Sequence, residues 1–377
     1  MAMPRSLPRD GEVFAVATGT RRMAAHETGS LEALSRRIAR LLGRRYGGLH
    51  SLESLAGRPH AAAFHVPDDT LDADQARALG ITGAGDLFGG VVPHRFAATK
   101  LVSHQALDAD AVPEGWPQAL GEALADTVLP GFAVFSTEQA RRGCRSLLAD
   151  GPVRIKLARG VGGQGQAVVA DLEALDAFLA QLPADELERH GATLERHLDD
   201  AATWSVGTAH CGSHWIAYVG TQRGTRDRTG NAVYGGSDLQ VSRGGFDALL
   251  AAPLTEAARD ATDRARRYHD AMLAAFPGLV ASRCNYDVVV GNDRSGARAA
   301  GVLEQSWRIG GASPAEIAAM EAFAADPALL HVRARCREVH GAATPPPGAA
   351  ISWDGDDPAV GQICKYAMVE AHDGHPA

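Results

Sequence analysis

Apolar and polar residues alternate along one stretch near the middle of the chain and predict a short β-strand there. Residues 153–157 read Val-Arg-Ile-Lys-Leu, so that every second side chain is apolar, as in a half-buried strand. A glycine-rich run, 160–165, follows, and residues 166–170 again have the composition of a strand. The pattern therefore predicts two strands joined by a flexible glycine turn, with Lys156 on the first strand.

In the rest of the chain, segments with helical periodicity alternate with short apolar runs, which is typical of an α/β organisation. Apolar residues recur every three or four positions in the predicted helices, and Ser30 and Ser136 are placed to cap two of them. The predicted helices are 31–42, 71–79, 116–124, 137–148, 172–182, 254–276 and 314–323, and the further predicted strands are 13–18, 61–66, 193–198, 205–209, 214–220, 238–242, 285–290 and 301–305.

Three segments carry no helix or strand pattern. Residues 83–93 are glycine-rich and are predicted to connect an N-terminal α/β unit to the rest of the chain. Residues 222–236 are polar and rich in Arg and Gly, and are predicted to form a loop. The segment after the proline run 345–347 has no pattern from which elements are predicted.

Composition restricts the class of protein. A chain of 377 residues is long enough for two or three structural units, and its 45% hydrophobic and 22% charged residues are ordinary for a soluble enzyme. The net charge of −8 argues against a general nucleic-acid binder. We expect neither a leader peptide nor a membrane span. The five cysteines lack metal or redox spacing, which favours a reducing cytoplasm.

The glycine run also matches a dinucleotide fingerprint, G-x-G-x-x-G, at Gly160, Gly162 and Gly165. That fingerprint must open a helix, so that the pyrophosphate lies at the helix N-terminus. Here strand-like residues follow, and the predicted helix comes only after Asp171. An NAD-binding oxidoreductase is therefore the less favoured interpretation, and a flexible hairpin turn without a ligand is another alternative.

Two acidic residues interrupt apolar strands in the second half of the chain. Asp287 lies in the predicted strand 285–290, and Glu304 lies in the next one. A buried carboxylate is costly unless a cation or hydrogen-bond donors compensate. Acids on adjacent strands can share Mg²⁺, which takes one or two carboxylates together with phosphate oxygens. Ion pairs with Arg283 or Arg308 are the structural alternative.

Other candidate residues are suited to bind phosphate, a purine base or a carboxylate. Lys156, beside the glycine turn, and Lys100 each provide a point charge for phosphate, although Lys100 alone is typical of a solvated surface. The edge of strand 193–198 can bind an adenine, and Glu195 can bond the purine amine or orient its neighbours. A basic segment is suited to clamp a carboxylate or to form a solvated loop, and its residues are Arg223, Arg226, Arg228, Tyr234 and Arg243.

Taken in their order along the chain, from Lys100 through Lys156, the glycine run and Glu195 to Asp287 and Glu304, these features resemble those of the ATP-grasp superfamily. The resemblance covers roughly residues 93–315, from Lys100 to just past Arg308, and residues 1–92 look like the α/β domain that precedes the grasp in many members. It implies an α/β (α+β) fold class with ATP-grasp architecture, in which two subdomains sandwich ATP. The implied domains are a pre-grasp domain at 1–92, a small subdomain with a glycine lid at 93–200, a large subdomain with the metal site at 201–330, and a C-terminal extension at 331–377.

The resemblance implies an ADP-forming ligase that uses ATP and Mg²⁺ to activate a carboxylate as an acyl-phosphate for attack by an amine or another nucleophile. It implies small-molecule substrates in the cytoplasm, no nucleic-acid or membrane partner, and allows a homodimer. An ATP-binding module of the same fold without ligase activity is the main alternative. The implied nucleotide-binding residues are Lys100, Lys156, Gly162, Gly163, Gln164, Gly165, Glu195 and Leu198, the metal ligands are Asp287, Glu304 and Ser306, and the catalytic residues are Arg308, Arg243 and Arg223.

Three positions depart from the pattern of the superfamily. Ser306 stands where an Asn usually provides the third metal ligand, and Asn285 stands where an Arg often precedes the first metal acid. Thr203 stands where an acid is expected to bind the ribose, with Asp199 or Asp200 as replacements. These departures motivate the alternative without ligase activity.

Overall fold

The computed structural model describes residues 11–57, 62–160 and 165–372. Its N-terminal part is an α/β unit in which β1 lies between β2 and β3, and all three strands are parallel. A smaller sheet pairs β4 with β5 and, from much later in the chain, β13 (Val280–Ala281). The elements of this part are β1 (Glu12–Ala17), α1 (Ala25–Leu41), β2 (Arg45–Ser51), α2 (Leu52–Leu55), β3 (Phe64–Pro67), β4 (Leu71–Asp72), α3 (Ala73–Ala78) and β5 (Gly90–Val92).

Helix α1 buries the face that the periodicity predicted, including Leu31, Leu34 and Ile38. The predicted cap at Ser30 is wrong, because the helix begins at Ala25 and Ser30 lies within it. The Glu27 carboxylate accepts a hydrogen bond from the backbone N–H of Ala24 instead, at 2.8 Å. The first turn is therefore closed by a side chain inside the helix, which periodicity alone does not show.

The predicted cap Ser136 is confirmed, since its hydroxyl accepts a hydrogen bond from the backbone N–H of Gln139 at 3.1 Å. The predicted strand 61–66 is observed only from Phe64, and its first residue lies outside the described part of the chain.

A four-stranded antiparallel sheet in the order β6-β9-β7-β8 forms the next layer, which we call the small sheet. The predicted strand pair is confirmed, because β7 and β8 are antiparallel neighbours. Since the glycine run joins two antiparallel strands and α6 begins only after β8, the helix that a dinucleotide fingerprint requires does not follow it. The elements are α4 (Gln118–Ala123), β6 (Gly131–Val134), α5 (Thr137–Leu147), β7 (Val153–Leu157), β8 (Gln166–Val169), α6 (Leu172–Leu179), α7 (Glu186–His190) and β9 (Ala192–Arg196).

The remaining strands form the large sheet, in which eight antiparallel strands have the order β15-β14-β10-β11-β12-β16-β18-β17. No helix in the described ranges is long and apolar enough to cross a membrane. The elements are β10 (Asp199–Cys211), β11 (His214–Arg226), β12 (Ala232–Arg243), α8 (Phe246–Ala251), α9 (Glu256–Ala275), β14 (Arg283–Asn292), β15 (Arg298–Ser306), α10 (Ser313–Ala325), β16 (His331–His340), β17 (Ala350–Asp357) and β18 (Gly361–His372).

Two features of the large sheet were not predicted. The predicted loop 222–236 is wrong, because β11 and β12 continue through it as a long hairpin, with Arg226 paired to Ala232. Most side chains there are exposed, so the apolar alternation that signals a strand is missing. Strands β16 to β18 extend the same sheet to its edge. The domain boundaries at 92, 200 and 330 stay a prediction.

Helices cover both faces of the large sheet. On one face, β-sheet residues such as Tyr218, Val241 and Ala334 pack in one apolar cluster with Leu34 of α1 and Met320 of α10. On the other face, sheet residues pack against α8 and α9, and the list of this cluster includes Val206, Val219, Tyr286, Val302, Leu249, Ala261 and Tyr268. Because both faces are buried, the sheet is a rigid platform whose polar residues need internal partners.

A buried ion pair fixes α10 to the large sheet. The guanidinium of Arg283 lies 2.7 Å from the carboxylate of Glu316, and the two side chains are 1% and 0% exposed. Burial would lower the pKa of Arg283, but the charge of Glu316 outweighs it and raises the pKa above its ordinary value. Arg283 also donates to the backbone carbonyl of Arg308 at 2.6 Å. The segment after β15 is therefore held in place by the same guanidinium.

We expect Glu316→Gln to destabilise the fold, because it keeps the shape of the side chain but leaves Arg283 buried without its counter-charge. The free energy of unfolding, measured by urea denaturation, should fall by about 3–5 kcal/mol. Asp74→Asn is the matched control, since Asp74 is 88% exposed in its pair with Arg77, and such surface pairs contribute little. Equal stabilities of the two variants would contradict the importance of the buried pair.

Candidate active site

The small sheet contributes a buried lysine that is fixed by an acid. Lys156 on β7 lies 2.5 Å from Oε1 of Glu195 on the neighbouring β9, and the two side chains are 7% and 1% exposed. The second oxygen of Glu195 lies 3.4 Å from Nε2 of His104. Burial would raise the pKa of Glu195, but Lys156 and His104 outweigh it and lower the pKa to about 2. The Glu195 carboxylate is thus ionised and engaged with protein groups, so the structure does not leave it free for a purine amine.

Lys100 connects the small sheet to the large one. It begins a 3₁₀ helix, and its ammonium lies 3.0 Å from Oε2 of Glu304 and donates to the carbonyl of Gly160 at 2.9 Å. The hydroxyl of Thr193, which is opposite Lys156 in the β7–β9 ladder, donates to the backbone carbonyl of Lys100 at 3.3 Å. These contacts bring Lys100, the start of the glycine run and Glu304 together where the small sheet meets the large one, a region that we call the cleft. Thr193 links this region to the strand that carries Lys156.

The two acids predicted to bind metal face each other across adjacent strands. Asp287 on β14 is directly opposite Glu304 on β15. Burial and the negative charge of Glu304 raise the pKa of Asp287 to about 6. Two amide groups oppose this shift, because Nδ2 of Asn285 and Nε2 of Gln222 each donate to Oδ1 of Asp287 at 2.9 Å.

The oxygens of Asp287, Glu304 and Ser306 fit a magnesium ion, which phosphate and water also coordinate, better than a metal ion that only protein groups coordinate. No group of three or more His, Cys, Asp or Glu residues in the described segments is arranged to hold a metal. Asp287 and Glu304 provide two carboxylates, and Ser306 lies two residues further along β15, opposite Asn285. Mg²⁺ is usually bound through one or two carboxylates, and phosphate oxygens and water complete its shell. The donor set is therefore complete only when a phosphate is bound beside it.

Arg308 lies between the acids and the N-terminal α/β unit. Burial lowers its pKa, and the strongest opposing effect is that of the negative charge of Asp69, just after β3. One of its guanidinium nitrogens, Nη1, donates to the carbonyl of Ile309 at 2.9 Å. Arg308 therefore places a positive charge where the α/β unit meets the large sheet.

The structure places the other predicted site residues as follows. Leu198, at the end of the segment 193–198 that was predicted to bind an adenine, is buried with Leu129 and Val289 in a small apolar cluster. The hydroxyl of Ser306 lies 3.5 Å from Nη1 of Arg283. Gly165 precedes β8, with a positive φ of 67° that favours glycine. Residues 161–164 of the glycine run lie outside the described ranges, and they include the predicted site residues Gly162, Gly163 and Gln164.

Two arginines predicted to be catalytic are not brought to this cleft. Arg223 follows Gln222 in β11, so its side chain leaves the opposite face of the sheet, where it pairs with Asp238. Arg243 on β12 is separated from β14 by β11 and β10. Its guanidinium donates to the carbonyls of Leu329 and Phe323, at 2.9 and 2.8 Å. The long hairpin in place of the predicted loop accounts for the position of Arg223, and the order of the strands accounts for that of Arg243.

Sequence reasoning missed two residues of the site. Gln222 was inside the predicted loop, and the strand period that it shares with Tyr218 and Gly220 is the signal that would have found it. His104 follows a 3₁₀ helix and is 2% exposed. No local pattern marks it, because its role comes from Glu195, which is distant in sequence.

Comparison with solved structures identifies the fold. N5-carboxyaminoimidazole synthetase from Staphylococcus aureus, complexed with ADP, has a TM-score of 0.58 at 11% identity, and the match covers 98% of this chain and 96% of that chain. Biotin carboxylase from Campylobacter jejuni has a TM-score of 0.55 at 13% identity, with coverages of 96% and 88%. The biotin carboxylase domain of 2-oxoglutarate carboxylase from Hydrogenobacter thermophilus has a TM-score of 0.54 at 13% identity, with coverages of 94% and 85%.

These enzymes have the ATP-grasp architecture, and at such low identity the likeness establishes the fold alone. The predicted fold class and the resemblance to the ATP-grasp superfamily are thereby confirmed. No curated protein matches the sequence. The model of one family, DUF3182, described as a protein of unknown function, matches residues 13–367. The chain therefore belongs to the DUF3182 family and has the ATP-grasp fold.

Proposed function

We propose that the protein is an ATP- and Mg²⁺-dependent ligase that activates a carboxylate as an acyl-phosphate for attack by an amine or another nucleophile. The observation that carries this proposal is the 3.0 Å contact between Lys100 and Glu304. This contact joins Lys100, whose ammonium group is suited to bind phosphate, to Glu304, one of the two acids that face each other, across a single cleft. We also assign small-molecule substrates and a cytoplasmic reaction to this proposal.

The two lysines would bind the nucleotide phosphates. A triphosphate needs positive charge that is positioned before it binds, because phosphoryl transfer depends on positioning and electrostatic stabilisation. Lys156 is positioned in this way, since its partner Glu195 is buried and is also hydrogen-bonded by His104. Lys100 is held between Glu304 and Gly160. The glycine run 160–165, including Gly162, Gly163 and Gln164, would cover the phosphates.

Asp287 and Glu304 would hold Mg²⁺, with Ser306 as a third, neutral ligand. When bound, the ion would neutralise the charge on the phosphates and orient them. The facing positions of the two acids support this role. The pKa of Asp287 is raised mainly by burial and next by the negative charge of Glu304, and a cation would offset both effects.

Arg308 would stabilise the transferred phosphoryl group. In the first step, a carboxylate oxygen of the substrate bonds to the γ-phosphorus and the bond to the ADP oxygen breaks. In the second step, the amine nitrogen bonds to the acyl carbon, phosphate leaves with the bonding electrons, and the amine loses a proton. Arg308 is assigned this role because its guanidinium interacts electrostatically with the metal-ligand candidate Glu304 as well as with Asp69. Arginine suits this task because it binds both phosphate and carboxylate oxygens in pairs.

The structural neighbours support the nucleotide part of the proposal. Two of these enzymes were crystallised with ADP, one of them with its magnesium salt and with bicarbonate. The fold of the present chain is therefore one that other proteins use to bind adenosine diphosphate.

An ATP-binding module without ligase activity is the second candidate. The observation that favours it is the presence of Asn285 beside Asp287. The amide nitrogen of Asn285 donates to Asp287, and its amide oxygen accepts a hydrogen bond from the hydroxyl of Tyr218. The arginine that often occupies this position in the superfamily is therefore missing from the cleft.

We expect ADP release from ATP to depend on Mg²⁺ and on a mixture of candidate acids and amines. Lys156→Ala and Glu304→Ala should each lower the rate by about 10²–10³-fold, because each removes charge that would stabilise the transferred phosphoryl group. Lys365→Ala is the matched control, since Lys365 pairs with Glu338 on the distant strands β16 and β18. A coupled ADP assay over a panel of acids and amines measures the rates.

Wild-type rates in the Lys156 and Glu304 variants would exclude the proposed site. Calorimetric binding of ATP without turnover on the whole panel would favour the module instead.

We also expect Glu195 to contribute to stability above pH 4.5 and to lose this contribution as the pH falls toward 2. The reason is that its pKa is lowered from 4.5 to about 2 in the folded protein, so folding favours the ionised form. The stability difference between wild type and Glu195→Gln, measured by urea denaturation, should therefore shrink between pH 6 and pH 3. Glu188→Gln, on an exposed surface, should show no such change, and a constant difference for Glu195→Gln would argue against the ion pair.

A further inference from the structure

We infer that Gln222 is a positioning residue that fixes Asp287 and thereby sets which divalent cation the site accepts. This inference rests on the proposed function. It goes beyond that function because Gln222 belongs to none of the predicted binding residues and does not itself face the lysines.

The contacts of Gln222 hold the Asp287 carboxylate from one side. Its amide nitrogen donates to Oδ1 of Asp287 at 2.9 Å and to the hydroxyl oxygen of Ser205 at 3.0 Å. Ser205 is the residue opposite Asp287 in the β10–β14 ladder. Gln222 therefore reaches across β10 from β11, and both of its contacts end on the row of residues that contains Asp287.

Asn285 holds the same oxygen from the strand itself. Its amide nitrogen donates to Oδ1 at 2.9 Å, and its amide oxygen accepts from the hydroxyl of Tyr218, 3.0 Å away. The Tyr218 hydroxyl also lies 2.7 Å from Glu316, the buried partner of Arg283. The orientation of Asn285 is thus fixed by the most buried polar network of the large sheet.

Both amides engage Oδ1. Among the described residues, no hydrogen bond holds Oδ2 of Asp287, which is therefore the oxygen that it can offer to a cation. Mg²⁺ is small, has an octahedral shell and binds carboxylates one oxygen at a time together with phosphate and water. Ca²⁺ takes six to eight oxygens and often uses both oxygens of a carboxylate. A carboxylate with one oxygen already occupied therefore favours the smaller ion.

The test compares wild type with Gln222→Leu, which removes the donor and keeps a side chain of similar size. The affinity for a non-hydrolysable ATP analogue is measured by calorimetry with saturating Mg²⁺, with saturating Ca²⁺ and with EDTA. The wild type should bind more tightly with Mg²⁺ than with Ca²⁺. In Gln222→Leu this preference should fall roughly tenfold, the usual effect of losing a hydrogen bond to a metal ligand, while the affinity in EDTA stays unchanged.

Two further variants keep the test decisive. Gln222→Asn retains the amide but is too short to reach Asp287, so it should reproduce the loss and replaces Gln222→Leu if that variant does not fold. Gln240→Leu is the matched control, because Gln240 lies on the neighbouring β12 and donates to the carbonyl of Pro253 instead. It should keep the preference of the wild type.

The possible failures are distinguishable. If the wild type binds the analogue equally well with and without a divalent cation, the proposed function itself is wrong and the inference falls with it. If the wild type prefers Mg²⁺ and Gln222→Leu retains that preference, only the inference is overturned. A loss of affinity that is equal in all three conditions also overturns it, because it would mean that Gln222 contacts the nucleotide.

Discussion

The arrangement of the site depends on one requirement, that each of its two lysines finds an acidic partner on a different structural element. The contact between Lys100 and Glu304 joins the segment before the small sheet to the large sheet. The charge of Lys156 on β7 is neutralised by Glu195 on the neighbouring strand β9, and not by a residue of β7 itself. Since burial makes an unpaired charge costly, the Lys100–Glu304 contact ties the small-sheet side to the large sheet, and the Lys156–Glu195 pair fixes its lysine within the small sheet. Both lysines are thereby positioned for a highly charged ligand.

The large sheet is the platform on which this requirement is met. Both of its faces are covered by helices, so the residues that carry Asp287 and Glu304 cannot shift without disturbing a packed core. The pair of Arg283 and Glu316 connects that core to the segment of Arg308 through a backbone carbonyl. Stability and the placement of the candidate catalytic arginine therefore come from the same guanidinium.

The polar residues around Asp287 show how the protein treats a position where two acids face each other. Amides from two directions hold one oxygen, and the neighbouring acid is held by a lysine. These contacts oppose the rise in the pKa of Asp287 that burial and, next, the negative charge of Glu304 cause, but the pKa stays raised. A divalent cation and phosphate groups are the ligands that would complete the compensation. The chemistry of the cleft thus suits a phosphate-bearing ligand with a divalent cation, in agreement with the proposed function.

The sequence alone determined the strand 153–157 with its glycine turn, the acids inside the strands of Asp287 and Glu304, and the order of features that identifies the ATP-grasp fold. Each of these follows from local periodicity or from motif order. Only the tertiary structure decided that Glu195 faces Lys156 and His104 and that Gln222 faces Asp287. It also decided that Arg243 lies away from the cleft. Such contacts join residues far apart in sequence, 65 positions for Gln222 and Asp287 and 91 for His104 and Glu195. They depend on the order and register of strands, which side-chain periodicity along one strand does not specify.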